Sequence, residues 1–500
     1  MPVTWANFGV DLHLDLAGSR PRTALETALR AAVRSGRLAP GTRLPSSRSL
    51  AADLGLARNT VADAFSQLVA EGWLEARTGS GTWVGEQAAA AAARSAGPAG
   101  GSGRGPRYDL RAGVPATSAF PRRAWLAASR AALAAASDEA LGYPDPRGVP
   151  ELRAAVAGYL ARTRGVVADP DNVLICAGFS GGLALICRVL AARAKNAAVA
   201  VEACGHALHR QIIAAQGVRV VPLPVDHLGA DPAALTRAGT GPQPAVAGVS
   251  AVVLTPAHQF PLGMTLAPAR RTAFARWAGR TGGLIVEDDY DGEYRFDRQP
   301  VGALQALAPG QVVYAGTASK SLAPGLRLGW LVAPTAVFGE LAAAQELSAS
   351  APGALDQLTL ARLIETGGYD RQVRQSRLAY RRRRDRLITA LRQQAPQITL
   401  TGIAAGLQAV AELPAGSAEA DTVARAARNG VAVQGLAGYT VPGYEREPAV
   451  VIGFGRPAEH AFTAAVARLC AALAEPGAAG GPTAGGRNQP AGGTAVPPAG

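Results

Sequence analysis

Lysine is almost missing from this chain. Of its 50 Lys+Arg residues only Lys195 and Lys320 are lysine, and the rest are arginine. Cysteine is also scarce. Cys176, Cys187, Cys204 and Cys470 form no CxxC pair and no metal-ligand spacing. That argues against a disulfide framework or a structural metal, and for a reduced, cytosolic chain. No apolar run approaches the roughly 20 residues of a membrane helix. The first residues lack the charged, apolar, small order of a secretory signal. Neither a membrane nor export is therefore expected. What is present is a chain of 500 residues, 48% hydrophobic and 17% charged, with a net charge of +13. Two or three globular domains fit that length. The basic excess permits a polyanion partner without requiring one.

The first 85 residues carry a clear local pattern. Ala24, Leu25, Ala28, Leu29, Ala32 and Val33 recur at a helical period up to Gly36. A second helix opens at the serines of Leu44-Pro45-Ser46-Ser47-Arg48 and stops at Gly55. A third runs from Arg58 to about Glu71, with Val61, Ala64, Phe65 and Leu68 facing inward. Two short strands follow, around the glycine-rich Thr78-Gly79-Ser80-Gly81. This is the layout of a winged helix-turn-helix, with a small protein-interaction module as the plainer reading. The polar start of the third helix, Arg58-Asn59-Thr60, suits base edges, Arg48 and Arg58 suit phosphates or guanine edges, and Ser47 is a further candidate DNA contact. Ser80 and Gly81 let the wing approach a phosphate closely. Residues 1–85 hold nine Arg and seven Asp+Glu, so DNA binding here rests on placed arginines, not on a general basic field.

The run Leu44 to Gly55, then Arg58-Asn-Thr-Val61, Gly72 and Gly79 to Val84, resembles the GntR-type winged-helix DNA-binding domain over about 60 residues. One departure is Ala57, where that family usually has a serine that caps the recognition helix. The domain is expected over residues 10–85. Residues 86–107, rich in Ala, Gly, Ser and Arg, read as a linker. Residues 476–500 have almost no large side chain and read as a disordered tail.

Residues 108–475 alternate apolar strand-like runs with helical stretches. The runs begin at Val173, Ala197, Val218, Ala251, Gly283, Val312 and Gly329. Strands apolar on both faces imply an α/β domain, with a mostly parallel sheet covered by helices on both sides. Ligands in such folds bind at the carboxyl ends of the strands. One such end is Glu287-Asp288-Asp289-Tyr290, in which Asp288 and Tyr290 should face one side and Glu287 and Asp289 the other. Another is the small-residue stretch Thr317-Ala318-Ser319-Lys320, with Arg327 downstream. A lysine can form a Schiff base and an arginine cannot. The bland reading of Lys320 is a chance surface residue. Gly178-Phe179-Ser180-Gly181-Gly182 follows a strand and opens a helix, a weak signal for a phosphate site.

Together, Gly142 to Gly148, His258-Gln-Phe-Pro261 with Gly263, Glu287 to Asp291, Ser319-Lys320 and Pro324 to Arg327 resemble fold-type I enzymes that use pyridoxal 5′-phosphate, the aminotransferase group. With the GntR-type head, the whole chain resembles a MocR-subfamily regulator: a winged helix-turn-helix joined to an aminotransferase-like domain with a smaller α/β C-terminal subdomain. By that resemblance Lys320 is the Schiff-base lysine, Asp288 pairs with the pyridine nitrogen and Tyr290 with the ring hydroxyl. Thr317, Ser319, Arg327, Ser180 and Gly181 hold the phosphate. Tyr143 reaches the phosphate of the other subunit of a head-to-tail homodimer. His206 stands where relatives keep the aromatic that stacks on the cofactor. The late arginine that grips a substrate carboxylate has no counterpart in Ala449 to Phe454, and Arg456 lies just beyond.

The resemblance implies a regulator that senses pyridoxal 5′-phosphate, or the cofactor with an amine or amino acid, and so controls binding to a double-stranded operator. Vitamin B6 or amino-acid metabolism genes are the expected targets, and sensing is favoured over catalysis. The alternative is an active aminotransferase that carries a DNA-binding domain. Arg371, Arg374, Arg377, Arg381 to Arg384 and Arg386 share one expected helix. A solvated face is the plain reading and a second DNA-backbone contact the sharper one.

Overall fold

The structure is a computed structural model that describes residues 21–34, 38–77, 81–85, 106–143, 145–236, 248–296 and 301–474. Ser80, the start of the expected head, the expected linker up to residue 105 and the expected tail lie outside the described residues. The chain divides into two compact units, residues 1–104 and 105–500.

The first unit consists of α1 (Pro21–Arg34), α2 (Ser47–Leu54), α3 (Arg58–Ala70) and the antiparallel strands β1 (Leu74–Arg77) and β2 (Gly81–Val84). Leu25, Leu29 and Val33 repeat every fourth residue, so they fall on one face of α1 and pack with Leu50, Val61, Phe65 and Leu68. α2 starts where the Ser46 hydroxyl accepts the Ser49 N–H at 3.1 Å. It ends at Gly55, whose φ of +65° few side chains tolerate. α3 starts at Ala57 with no side-chain cap. Arg30 reaches Glu71 at 2.7 Å and ties α1 to the end of α3.

The second unit is built on a seven-stranded sheet in the order Val173–Cys176, Gly329–Val332, Val312–Thr317, Leu284–Asp288, Val249–Leu254, Ala198–Glu202, Arg219–Leu223. Gly329–Val332 is antiparallel to both neighbours, and the other pairs are parallel. Each of the seven apolar runs in the sequence is a strand of this sheet. Alternation explains why they read as continuously apolar. Leu174 and Cys176 pack with Leu183, Ile186 and Leu341 of the helices Gly178–Arg193 and Thr335–Ser348. Val173 and Ile175 pack on the opposite face with Val156 and Leu360 of Pro150–Arg164 and Ala354–Glu365.

A four-stranded antiparallel sheet, Thr399–Thr401, Gln408–Glu412, Ala449–Gly453, Gln434–Gly435, forms a smaller subdomain. The helices Gly368–Gln394 and Glu459–Ala474 share its core through Leu387, Leu391, Phe462 and Leu469. The arginine-rich helix is Gly368–Gln394. Its Arg383 turns inward to Glu459 at 3.0 Å and the Gly455 carbonyl at 2.7 Å, and Arg386 also meets Glu459 at 2.7 Å. Arg374, Arg381 and Arg382 are exposed, so the face is split between packing and solvent. No helix among the described residues is long and apolar enough to cross a membrane.

Candidate functional site

The carboxyl ends of five sheet strands converge on a cavity of about 230 Å³. Parallel strands expose their C-terminal ends together, so residues distant in sequence meet there. Lys320, Asp288, Tyr290, Thr317, Ser319, Arg327, Ser180 and His206 all line it. Gly181 lies beside them in the first turn of the helix that starts at Gly178. Tyr143 is fully exposed and does not line this cavity.

Lys320 sits in a locked turn after the strand Val312–Thr317. The Ser319 N–H donates to the Thr317 hydroxyl at 3.1 Å, and Tyr294 donates to the Lys320 carbonyl at 3.1 Å. The ammonium donates to the Gly113 carbonyl at 2.6 Å. Burial lowers the Lys320 pKa below 10.5, and Asp288 and Asp291 act against that shift. A free amine, the nucleophilic form, is therefore easier to reach here than on an exposed lysine.

Asp288 ends the strand Leu284–Asp288. It is buried, and its Oδ1 has no hydrogen-bond partner. Burial pushes its pKa well above the ordinary carboxylate range, while Lys320 pulls it down. A buried acceptor without a donor is costly, and it fits a ligand that brings an N–H. Glu287 and Asp289 point to the other side. Glu287 accepts the N–H groups of Leu304 and Gln305, each at 2.8 Å. Asp289 is clamped by Arg164 at 2.6 and 3.1 Å and by the Tyr314 hydroxyl at 2.6 Å.

Tyr290 is held by residues that sequence spacing does not point to. Its hydroxyl accepts from Gln408 at 2.8 Å and lies 3.1 Å from His258 Nδ1, which itself lies 2.8 Å from Asp291. Gln408 belongs to the smaller subdomain, so Tyr290 joins the two parts of the unit. His206 stacks on Phe260 with centroids 4.1 Å apart and planes 4° apart. Burial pushes its pKa down to about 4, which leaves a neutral flat ring at neutral pH.

One end of the cavity suits a phosphate. The helix Gly178–Arg193 begins at Ala177 without a side-chain cap, so its first N–H groups are available. A Cβ at Gly329 would fall 2.7 Å from the Gly178 Cα, so this close approach needs glycine. Arg327 holds φ +54° and makes no ion pair with the described residues. Val451 does not line the cavity; it is buried in one apolar cluster with Phe260, Tyr290 and Val410. Arg456 pairs with Asp109 at 2.5 Å and is not part of the cavity wall.

In the first unit, Arg48, Arg58 and Asn59 are exposed, Ser47 and Thr60 are half-buried, and Gly81 opens β2. Arg48 and Arg58 make no ion pair with the described residues, which leaves both guanidiniums available to phosphates or base edges.

A winged helix-turn-helix joined to an aminotransferase fold defines a transcriptional regulator that binds operator DNA. The family comparison agrees: residues 21–84 match the gntR family of bacterial regulatory proteins, and residues 108–447 match aminotransferase class I and II. The chain is 32% identical to the HTH-type pyridoxine biosynthesis transcriptional regulator PdxR of Corynebacterium glutamicum, covering 87% of this chain and 91% of that one. It is 34% identical to the probable rhizopine catabolism regulatory protein MocR of Rhizobium meliloti, over 77% of this chain and 80% of that one. The chain belongs to the MocR/PdxR-type HTH transcriptional regulators, with a class I and II aminotransferase domain. Among solved structures, an archaeal alanine:glyoxylate aminotransferase superposes with a TM-score of 0.65 at 25% identity, covering 73% of this chain and 90% of that one. LysN of Thermus thermophilus, solved with N-(5′-phosphopyridoxyl)-L-leucine, gives 0.64 at 25% identity, over 73% of this chain and 91% of that one. The fold supports pyridoxal 5′-phosphate as the cofactor, and the orphaned Asp288 acceptor beside Lys320 fits it.

Proposed function

We propose that the large unit senses pyridoxal 5′-phosphate, alone or with an amine or amino acid, and that this state sets the affinity of the head for its operator. In this reading Lys320 binds the cofactor, Asp288 holds its ring nitrogen and Tyr290 its ring hydroxyl. Ser180, Gly181, Thr317, Ser319 and Arg327 hold the phosphate, and His206 lies against the ring. The bound group supplies a carbonyl that captures amines. This chain's residues orient it and shield it from water. Tyr143 serves the site of a second copy in a head-to-tail homodimer, and its exposure supports that role. The chain acts in the cytoplasm on genes of vitamin B6 or amino-acid metabolism.

The observation that carries the reading is Val451. The strand Ala449–Gly453 packs an apolar side chain against Phe260 and Tyr290, at the position where aminotransferases keep the arginine that grips their substrate. In this reading the cofactor residues are kept, and the strand Ala449–Gly453 carries no arginine for that grip. The test supplies the purified protein with amino acids and an α-keto acid and follows the absorption of the bound cofactor. A single spectral change without repeated turnover is expected. Sustained turnover would replace this reading with that of an active aminotransferase carrying a DNA-binding domain.

A further inference from the structure

A second cavity, of about 460 Å³, shares no lining residue with the cofactor cavity. Its walls are the C-terminal half of the helix Pro150–Arg164, the N-terminal part of Gly368–Gln394 and the segment from Gly292 to Arg295. Arg162, Arg164, Arg295, Arg374 and Arg377 line it, against two acids, Glu293 and Asp370. Arginine stays charged in any such setting, so the lining keeps an excess of positive charge even with both acids ionised.

Three of the arginines are engaged within the fold. Arg162 pairs with Asp370 at 3.0 Å, and Arg164 holds Asp289 at 2.6 Å. Arg295 donates to the Ala257 carbonyl at 3.2 Å and the Thr265 hydroxyl at 3.1 Å. The other two are open to a ligand. Arg377 donates through Nε to the Glu293 carbonyl at 2.6 Å, and Arg374 is exposed and makes no ion pair with the described residues. They lie three residues apart, on one face of the helix. Glu293 is half-buried, and its carboxyl group also makes no ion pair with the described residues. Burial, then Asp289 and Asp291, push its pKa up to about 7, against the pull of Arg164. Burial also keeps the Tyr159 phenol in the wall protonated. The cavity therefore offers two guanidiniums with free N–H groups and a carboxyl group that gives up its charge easily. That donor set suits an oxyanion.

We propose that this cavity is a second ligand site, in which Arg374 and Arg377 hold the phosphate or sulfate group of a small molecule. The site goes beyond the sensing reading above and does not depend on it. It also has a path to the first cavity. Arg377 holds the Glu293 carbonyl, and the next residue, Tyr294, donates to the Lys320 carbonyl at 3.1 Å. A ligand that draws Arg377 toward itself acts on the turn that carries Lys320.

The test is calorimetric titration of the full-length chain with sulfate, balanced by chloride at constant low ionic strength. Sulfate keeps the same charge between pH 6 and pH 8. Arg374→Gln changes an exposed side chain, and it should weaken one class of sulfate sites about tenfold or more. Arg327→Gln, at the phosphate end of the cofactor cavity, should leave that class unchanged. Glu293→Gln removes the carboxylate and keeps the shape. It should tighten sulfate binding severalfold at pH 8, and the gain should shrink at pH 6, where Glu293 is already protonated. Absence of saturable sulfate binding overturns the proposal. So does sulfate binding that Arg327→Gln removes and Arg374→Gln leaves intact. Unchanged sulfate binding in Arg374→Gln, with a lower salt slope for operator binding, would assign this face to DNA and overturn it too. Each of these results leaves cofactor sensing standing.

Discussion

The Lys320 ammonium and the Gly113 carbonyl are 2.6 Å apart, across 207 positions of sequence. Gly113 follows Leu110, whose carbonyl accepts the Gly453 N–H at 2.6 Å, and Tyr108–Asp109, which pairs with Val431–Ala432. The segment that enters the large unit therefore touches the reactive amine and the smaller subdomain within a few residues. A group that takes the amine of Lys320 must release Gly113.

The first prediction concerns that amine. Burial lowers the Lys320 pKa below 10.5, and only the free amine attacks a carbonyl. Cofactor capture by cofactor-free protein should therefore speed up with pH, with a midpoint below 10.5. Stopped-flow absorption from pH 6 to 12 measures it. A midpoint at or above 10.5 contradicts the buried, lowered amine.

Asp288 gives a prediction with two opposite signs. Its pKa is raised by burial, so in cofactor-free protein it costs stability above the unfolded carboxylate pKa of roughly 4, and the cost grows until the pH passes its folded pKa. Asp288→Asn should raise the melting temperature of the cofactor-free protein at neutral pH. The same change removes the charged acceptor, and it should weaken pyridoxal 5′-phosphate binding about tenfold or more. Melting curves and a cofactor titration read the two effects separately.

Arg164 and Asp289 form a buried pair, with side-chain exposures of 5% and 2%. Arg164→Met leaves Asp289 and the Tyr314 hydroxyl without their cation. The expected loss is about 3–5 kcal/mol of stability, with poorer cofactor retention because Asp288 is the adjacent residue. Denaturant titration with retained cofactor absorption checks both effects.

In the head, Ala57 has extended backbone and no side-chain cap. Ala57→Ser should stabilise α3 by roughly 1 kcal/mol, seen as a later melting of the head in the full chain. Arg58→Ala should weaken operator binding and, if Arg58 meets a phosphate, lower the salt slope by about 1. Gel-shift titrations at two salt concentrations test the assigned face, and unchanged affinity at both counts against it.

Much of this was legible in the sequence because the signals are local. The seven strand runs, the Ser46 cap and Gly55 stop of α2, and the cluster around Lys320 each lie within a few adjacent residues. Asp288 and Tyr290 share one side because a strand alternates. Gln408 on Tyr290, Gly113 on Lys320 and Phe260 under His206 were not legible. Their contacts depend on where the sheet and the smaller subdomain place residues far apart in sequence, and no spacing records that. Arg456 shows the same gap. Its position invited a role as an anchor, and its nearest acid, Asp109, is supplied from the start of the unit.

The most direct test of the central claim measures the operator affinity of the full chain without pyridoxal 5′-phosphate, with it, and with it plus an amine, and repeats this for Lys320→Ala. The account predicts that the cofactor, alone or with an amine, changes the affinity of the native chain and leaves Lys320→Ala unmoved. Equal affinities for the native chain in all three states, with cofactor absorption present, would contradict it.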